Sequence, residues 1–357
     1  MTIEKLRRKI DLLDARILGL LNDRAKVSLD IGKAKKTTGR SVYVPEREKD
    51  VYEKLASNNK GPLTAASLRA IFREVMSSSL SLEKQLLIAY LGPELTFTHM
   101  AGMKKFGMSV DYVGCETISD VFAEVEKGRA DYGVVPIENS IEGAVNHTLD
   151  MFVDSDLRVC SEVYLEISHS LMSNETDKSR ITKVYSKSEV FAQCRSWLEA
   201  NLRGARLVEA SSTAKAASIC AGEKRSACIA SEIAAKKYRL KVLSRGIEDS
   251  AHNVTRFLVI GRNRIRPTGH DRTSVMFSVK DRSGALHDML VPFKRHGINL
   301  TKIESRPSKV RPWEYYFFVD MEGHEHNAKV AKALAALGRS ASFVKVLGSY
   351  PTAEGKG

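Results

Sequence analysis

The sequence has no run of eighteen apolar residues, so none of its 357 residues belongs to a segment that reads as a membrane-spanning helix. Its five cysteines, Cys115, Cys160, Cys194, Cys220 and Cys228, are scattered and odd in number, and no two have the spacing of metal ligands. They argue against a disulfide framework or a zinc site and point to reduced thiols, packed as small apolar side chains in a cytoplasmic protein. Residues 1–9 lead into an amphipathic pattern and hold no apolar export segment, in line with that expectation. No repeat and no low-complexity stretch interrupts the chain.

Charge is plentiful and uneven. Charged residues make up 28% of the chain against 43% hydrophobic, the balance of an ordinary soluble protein with enough length for two or three cored domains. The net charge is +13, and residues 1–85 supply more than half of it, with 18 lysines and arginines against 11 acids. Nucleic acid is one partner such an excess could meet, and small multiply anionic substrates are another.

The placement of those charges favours small anions. From Ile3 the apolar residues recur at steps of three and four, through Leu6, Ile10, Leu13, Ile17 and Leu20. The next beat of the rhythm is Arg24, after which Val27, Ile31 and Ala34 resume it. A guanidinium in a buried stripe costs several kcal/mol unless it is paired. A snorkelling arginine at a seam is the plain alternative. Arg24 and Lys35 fall within about 20° of each other on one helical face, ~16 Å apart. Arg7 lies about 100° round and ~25 Å away, so it could serve only a partner chain's site. A helix of residues 3–37 would be about 50 Å long, too long for eighty-odd residues to wrap alone, and two chains wrapped together would bury it.

Three regions separate by pattern. Residues 1–86 read as three helices, the second starting after Pro45 and the third after Thr64, a plausible N-cap. Residues 87–263 alternate strand and helix patterns, an α/β layout of one domain or two lobes around a cleft. Residues 272–350 read as βαββαβ, the ferredoxin-like order, with a strand expected from Trp313 and a frayed tail from Ala353 on.

The first region's Leu6-Arg7-Arg8-Lys9-Ile10, Asn22-Asp23-Arg24, Gly32-Lys33-Ala34-Lys35, Glu46-Arg47-Glu48 and the Ser79/Glu83 pair resemble the all-helical class of chorismate mutase. The resemblance implies an intertwined homodimer in which Arg7 crosses into the other chain's pocket. It implies that Arg7, Arg24 and Arg47 grip the two carboxylates of chorismate with help from Ser79, and that Glu48 holds the ring hydroxyl. Lys35 and Glu83 would flank the ether oxygen. Read alone, Arg47 and Glu48 fit a solvated first helical turn. The rearrangement to prephenate is intramolecular and needs no metal or cofactor; it gains from a frozen reactive conformer and donors placed at the breaking C–O bond. Many relatives carry Gln where this chain has Glu83, which is therefore expected to act protonated. Val44 stands where some carry an acid.

The loops at 92–99 and 135–145, Tyr185-Ser186 through Gln193-Cys194, Ser211–Ala214 and Asn253-Val254-Thr255-Arg256-Phe257 together resemble prephenate dehydratase. That family implies two lobes like those of periplasmic binding proteins, and loss of water and carbon dioxide from prephenate to give phenylpyruvate. Thr255 would assist departure of the hydroxyl through a hydrogen bond, with a carboxyl such as Glu138 as a proton relay. Asn139, Ser140, Ser186, Gln193, Thr213 and Arg256 would contact substrate. Glu138 and Arg256 could instead pair within the fold. Lys187 replaces a His, and Leu95 a Gly, common in relatives.

Gly284-Ala285-Leu286-His287, Asn299 and Glu304-Ser305-Arg306 resemble the effector-binding positions of the ACT regulatory domain, which implies phenylalanine binding at a dimer interface and feedback inhibition. The whole is thus expected to be a multidomain, bifunctional enzyme of phenylalanine biosynthesis, a homodimer or tetramer without cofactor, metal, nucleic acid or membrane. Two other readings are a ligand-sensing DNA-binding regulator and an arogenate-preferring dehydratase with a residual mutase.

Overall fold

The protein is described here from a computed structural model, which covers residues 2–38, 41–250, 252–279, 282–308 and 314–353. The expected strand start at Trp313 and the tail after Ala353 lie outside those residues. The chain divides into two compact units, one of residues 1–87 with 105–111, the other of 88–104 with 112–357.

The first unit is built on α1 (Ile3–Thr38), α2 (Pro45–Asn58) and α3 (Ala65–Glu83). Thr64 caps α3, its hydroxyl accepting from the Ser67 N–H at 3.1 Å. α2 starts on Pro45, whose missing N–H costs nothing there. Its N-cap is Val44, which offers no side-chain acceptor. An acid at this position would cap the helix, so the departure noted above is a lost cap of about 1 kcal/mol.

As the length of α1 leads one to expect, a single chain does not cover it. The apolar stripe of α1 is open: Leu6 and Leu13 are 44% exposed, Ile17 53% and Leu20 68%. Only Ser28 and Gly32 of this helix are buried. The reason is geometric, since two shorter helices cannot cover both sides of a 36-residue one.

The second unit holds three sheets. Its first strands and helices, whose residues Leu87, Lys105, Phe106 and Asp111 count with the first unit, are β1 (Leu87–Leu91), α4 (Phe97–Phe106), β2 (Asp111–Cys115), α5 (Ile118–Glu126), β3 (Tyr132–Asn139), β4 (Gly143–Ala144), α6 (Asn146–Asp154) and β5 (Arg158–Glu166). A second lobe follows with β6 (Ser170–Ser173), β7 (Lys183–Ser186), α7 (Ser188–Gln193), α8 (Arg195–Asn201), β8 (Arg206–Glu209), α9 (Thr213–Gly222), β9 (Ser226–Ala230), α10 (Glu232–Tyr238) and β10 (Lys241–Ser244). The chain then returns to the first lobe as β11 (Val254–Gly261). The lobes have separate sheets, β2-β1-β3-β11-β5 with β4 on β3, and β10-β6-β9-β7-β8.

The return strand fixes the register that matters for chemistry. β11 runs antiparallel to β3 with Thr255 opposite Asn139 and Arg256 opposite Glu138. Successive side chains of a strand point to opposite faces. Thr255 and Asn139 therefore share one face, and Arg256 and Glu138 the other.

The last module is β12 (Asp271–Ser278), α11 (Ala285–Arg295), β13 (Leu300–Pro307), β14 (Tyr315–Glu322), α12 (Ala328–Ser340) and β15 (Phe343–Pro351), in sheet order β13-β14-β12-β15. The expected βαββαβ order is thus observed. β15 packs on β5 of the first lobe so closely that a Cβ on Gly348 would collide with the Val159 carbonyl. Only glycine allows this approach.

Candidate active sites and effector site

In the helical unit α1 and α3 meet at Gly32, where a Cβ would lie 3.2 Å from both Cβ and Cγ of Glu83. The missing side chain lets Glu83 reach the last turns of α1. Lys35 Nζ donates to Glu83 Oε2 at 2.8 Å and to the Val42 carbonyl at 2.8 Å. A protonated Glu83 is expected from the sequence at this place, where the structure shows its carboxyl paired with the Lys35 ammonium.

Further along α1, Arg24 donates to the Ser79 hydroxyl and, at 3.5 Å, to the Val75 carbonyl. Burial, and then repulsion from Arg47, pull its guanidinium below the usual value. Arg24 and Arg47 are thus near enough to oppose each other, which is the environment an anion would relieve. Arg47 itself is exposed at the start of α2, and Arg7 is exposed near the start of α1.

Glu48 shows two partners that the sequence did not suggest. Lys105 Nζ sits 3.0 Å from its Oε2, and the Tyr43 hydroxyl donates to the same oxygen at 3.3 Å. Lys105 belongs to the segment 105–111 of this unit. Nothing in the local pattern around Lys105 sets it apart from a surface lysine.

The dehydratase residues form a ladder of amides. Asn139 Nδ2 donates to Thr255 Oγ1 at 2.8 Å and to Asn253 Oδ1 at 2.7 Å. Asn139 Oδ1 in turn accepts from the N–H groups of Ile141 and Glu142, at 2.9 and 3.1 Å, which fixes the orientation of the amide. Asn253 Nδ2 donates to Gln193 Oε1 at 3.0 Å, and Gln193 Nε2 donates to Glu142 Oε1 at 2.5 Å. His169 Nε2 meets the same Gln193 oxygen at 2.8 Å, so it carries the proton of a neutral ring. Burial lowers the His169 pKa, against smaller opposing contributions from Gln193 and Glu248. Because Asn139 donates to Thr255, the threonine's own O–H is left to donate elsewhere.

Asn139, Thr255 and Gln193 are therefore brought together, linked by Asn253 and joined by His169. The other expected contacts are placed differently. Ser140 bridges the loop, donating to the His252 carbonyl and accepting from Val254 N–H, at 2.8 and 2.9 Å. Ser186 is buried and donates to the Ile229 carbonyl at 2.8 Å, tying β7 to β9. Thr213 is buried as the first residue of α9, which Ser212 caps.

Glu138 and Arg256 require a correction. Both leave the amide ladder by the alternation of β3 and β11 and face the C-terminal module. Arg256 is 5% exposed and bonds to Glu162, Asp320 and Tyr350. Glu138 lies 3.1 Å from Lys302. Both side chains thus face away from Thr255 and Asn139 and are paired within the fold, the alternative the sequence left open.

Two departures in this module also have structural readings. Leu95 adopts φ 67°, the left-handed region that favours glycine, at a cost of about 1–2 kcal/mol. Its N–H donates to His99 Nδ1 at 3.1 Å, which holds the strained loop. Lys187 is a half-exposed partner of Glu189 at 3.2 Å, at the N-cap of α7.

In the C-terminal module Gly284 is the left-handed N-cap of α11, at φ 78°. Ala285 is buried, Leu286 packs against the module's core, and His287 is exposed beside Asp288. Asn299 donates to Glu322 at 3.0 Å. Glu304, Ser305 and Arg306 lie on the edge strand β13. Arg306 is engaged, holding both oxygens of Asp150 on α6 at 3.0 Å. Among the described residues no cluster of three or more His, Cys, Asp or Glu could hold a metal, and no helix is long and apolar enough to cross a membrane.

Comparison with known proteins matches three family models along the chain: chorismate mutase type II over residues 6–84, prephenate dehydratase over 88–265 and the ACT domain over 273–339. A bifunctional chorismate mutase/prephenate dehydratase of Aquifex aeolicus is 50% identical over 98% of both chains. One of Escherichia coli K12 is 33% identical over 97% of this chain and 95% of that one. Among solved structures, a prephenate dehydratase of Arthrobacter aurescens, described as a complex with L-Phe, aligns with 34% identity and a TM-score of 0.70. The alignment covers 74% of this chain and 90% of that one.

Proposed function

The chain belongs to the family of bifunctional chorismate mutase/prephenate dehydratases, and from that premise we propose how its residues divide the work. It is a bifunctional enzyme: it rearranges chorismate to prephenate and converts prephenate to phenylpyruvate, water and carbon dioxide, under an ACT regulatory domain of the kind that typically confers phenylalanine feedback. The DNA-binding regulator and the arogenate-preferring dehydratase are not supported.

For the mutase, Arg24 and Arg47 hold the carboxylates of chorismate, Ser79 supports Arg24, and Lys35 donates to the ether oxygen as the C–O bond breaks. Glu48, aimed by Tyr43 and Lys105, accepts from the ring hydroxyl. Glu83 holds Lys35 in place until substrate arrives. A second copy of the chain covers the open stripe of α1 and brings Arg7 to the pocket. The 44–69% exposure of Ile3, Leu6, Ile10 and Leu13 supports this pairing, because a soluble monomer rarely leaves so long an apolar face uncovered.

For the dehydratase, the C–O bond at C4 breaks while the C–C bond to the ring carboxylate releases its electron pair into the ring, so that carbon dioxide leaves and the ring becomes aromatic. The oxygen departs as hydroxide and takes its proton from solvent, so that the product is water. Thr255 donates a hydrogen bond to it, oriented by Asn139, and the Asn253–Gln193 amides hold the loops that line the substrate. The contact from Asn139 to Thr255 supports this reading, since a hydroxyl oxygen that accepts from the amide keeps its own proton available to donate.

For the regulatory module, we infer that phenylalanine binds the α11 N-terminus around Gly284–His287 together with the 299–306 segment; that a solved relative is described as a complex with L-Phe supports the choice of ligand. Coupling is reciprocal, so prephenate must weaken phenylalanine binding by the factor by which phenylalanine weakens prephenate binding. The test gives purified protein chorismate and follows prephenate and phenylpyruvate, with and without phenylalanine. Both products are expected in sequence, with only the second suppressed by phenylalanine. Phenylalanine that binds without changing phenylpyruvate formation would overturn the regulatory reading; absence of phenylpyruvate would overturn the dehydratase assignment.

A further inference from the structure

On the face of β3 and β11 turned away from the amide ladder lies a cluster of charges that neither reaction uses. Three cations (Arg256, Arg272 and Lys302) meet three acids (Glu138, Glu162 and Asp320). Arg256 Nη1 lies 2.5 Å from Asp320 Oδ2, and its Nε 2.8 Å from Glu162 Oε2. Asp320 is held in turn by the Ser274 hydroxyl at 2.5 Å, and Arg256 Nη2 donates to the Tyr350 hydroxyl at 2.9 Å. Arg272 pairs with Glu162 and donates to the Tyr164 hydroxyl at 2.9 Å. Lys302 Nζ is 3.1 Å from Glu138 Oε2. The side chains of Arg256, Asp320 and Lys302 are 5%, 10% and 9% exposed, and that of Glu162 is wholly buried.

The cluster has a direction. Asp320, Tyr350, Ser274, Arg272 and Lys302 come from the C-terminal module, whereas Arg256 and Glu138 come from the dehydratase strands. Arg256 is the chain neighbour of Thr255, and Glu138 that of Asn139. These two residues also face each other across the ladder, as Thr255 and Asn139 do. Lys302 stands on β13, two positions before Glu304 of the expected effector segment. Buried ion pairs contribute little net stability, but one that loses a partner leaves an uncompensated charge, so such a cluster tolerates few arrangements. A strand gripped at position 256 cannot shift at position 255 without breaking it.

We propose that Asp320 and Lys302 are positioning residues for the dehydration step. Through Arg256 and Glu138 they set the register of Thr255 against Asn139 from behind, and they give an effector on β13 its route to the reacting hydroxyl. The proposal rests on the reading of Thr255 and Asn139 as the substrate-facing pair.

The test uses the full chain carrying Lys302→Met, Lys302→Arg or Asp320→Asn. Dehydratase kcat and KM, the phenylalanine concentration for half-inhibition, mutase turnover and thermal unfolding are measured for each. Lys302→Met and Asp320→Asn should lower dehydratase kcat about tenfold or more, the effect of a sub-ångström misplacement. KM for prephenate should stay within about twofold, and the phenylalanine needed for half-inhibition should rise by about fivefold or more. Lys302→Arg should restore kcat, because it keeps the charge facing Glu138. Mutase turnover should not change. Should Asp320→Asn fail to fold, Lys302→Met decides the matter, since its partner Glu138 is 39% exposed and can be solvated. Wild-type kcat and phenylalanine response in Lys302→Met would overturn the proposal. So would a kcat loss that tracks the unfolding temperature and that Lys302→Arg does not rescue. A Thr255→Ala chain that still makes phenylpyruvate would overturn the underlying site reading instead.

Discussion

Thr255→Ala lowers phenylpyruvate formation by about 10²- to 10³-fold, the range for losing one preset hydrogen-bond donor to developing charge, and leaves chorismate consumption unchanged. The argument is one of geometry. The hydroxyl accepts from Asn139 and Thr255 is buried, so the proton it keeps is available to donate. Alanine removes the donor and leaves the Asn139 amide with one acceptor fewer. Thr255→Ser keeps the hydroxyl and should retain most of the rate, whereas Asn139→Ala should cost less than Thr255→Ala because it only frees the hydroxyl to rotate. Prephenate accumulating from chorismate in the Thr255→Ala chain is the direct readout. Loss of both activities together would place Thr255 in the fold rather than in the chemistry.

Lys35→Met lowers mutase turnover by about 10²- to 10³-fold, as removal of one preset donor to developing charge does elsewhere, and leaves conversion of added prephenate unchanged. Methionine keeps the stem and deletes the ammonium. Two effects then act in the same direction. The ether oxygen loses its donor as negative charge builds on it, and Glu83 loses its 2.8 Å partner and presents an unpaired carboxylate to the same place. Glu83→Gln in the Lys35→Met background should recover part of the loss by removing that repulsion. Rates of chorismate loss in the single and double variants measure the coupling. A Lys35→Met chain with mutase turnover within a few-fold of the parent would contradict the role assigned to this end of α1.

Long-period patterns were legible in the sequence. The three helices and the βαββαβ order appear as expected, because each repeats its apolar beat over several turns or strands. Short strands were not legible. β6, β7, β8 and β10 have four residues each, too few to show a period. The amide ladder was legible as residue types but not as contacts, since Asn139 and Thr255 are 116 positions apart.

Glu138 and Arg256 teach a different lesson. The sequence leaves each a choice between substrate and a partner within the fold, and strand alternation, which sends chain neighbours to opposite faces, is what turns both away from Thr255 and Asn139. Arg306 is a similar case, a residue expected at an effector and found holding Asp150. Tyr43 and Lys105 left no periodic or compositional trace, because what makes them relevant is the position of Glu48 in three dimensions.

The claim on which the account turns is that one chain carries two independent reaction sites, each disabled by a different residue. Equal amounts of the Lys35→Met and Thr255→Ala chains are mixed and given chorismate, and phenylpyruvate is followed over time. The account predicts phenylpyruvate after a lag, as the second chain makes prephenate and the first consumes it, with neither chain alone producing it at more than a trace rate. A mixture that forms no phenylpyruvate, while the Lys35→Met chain also fails on added prephenate, would contradict it.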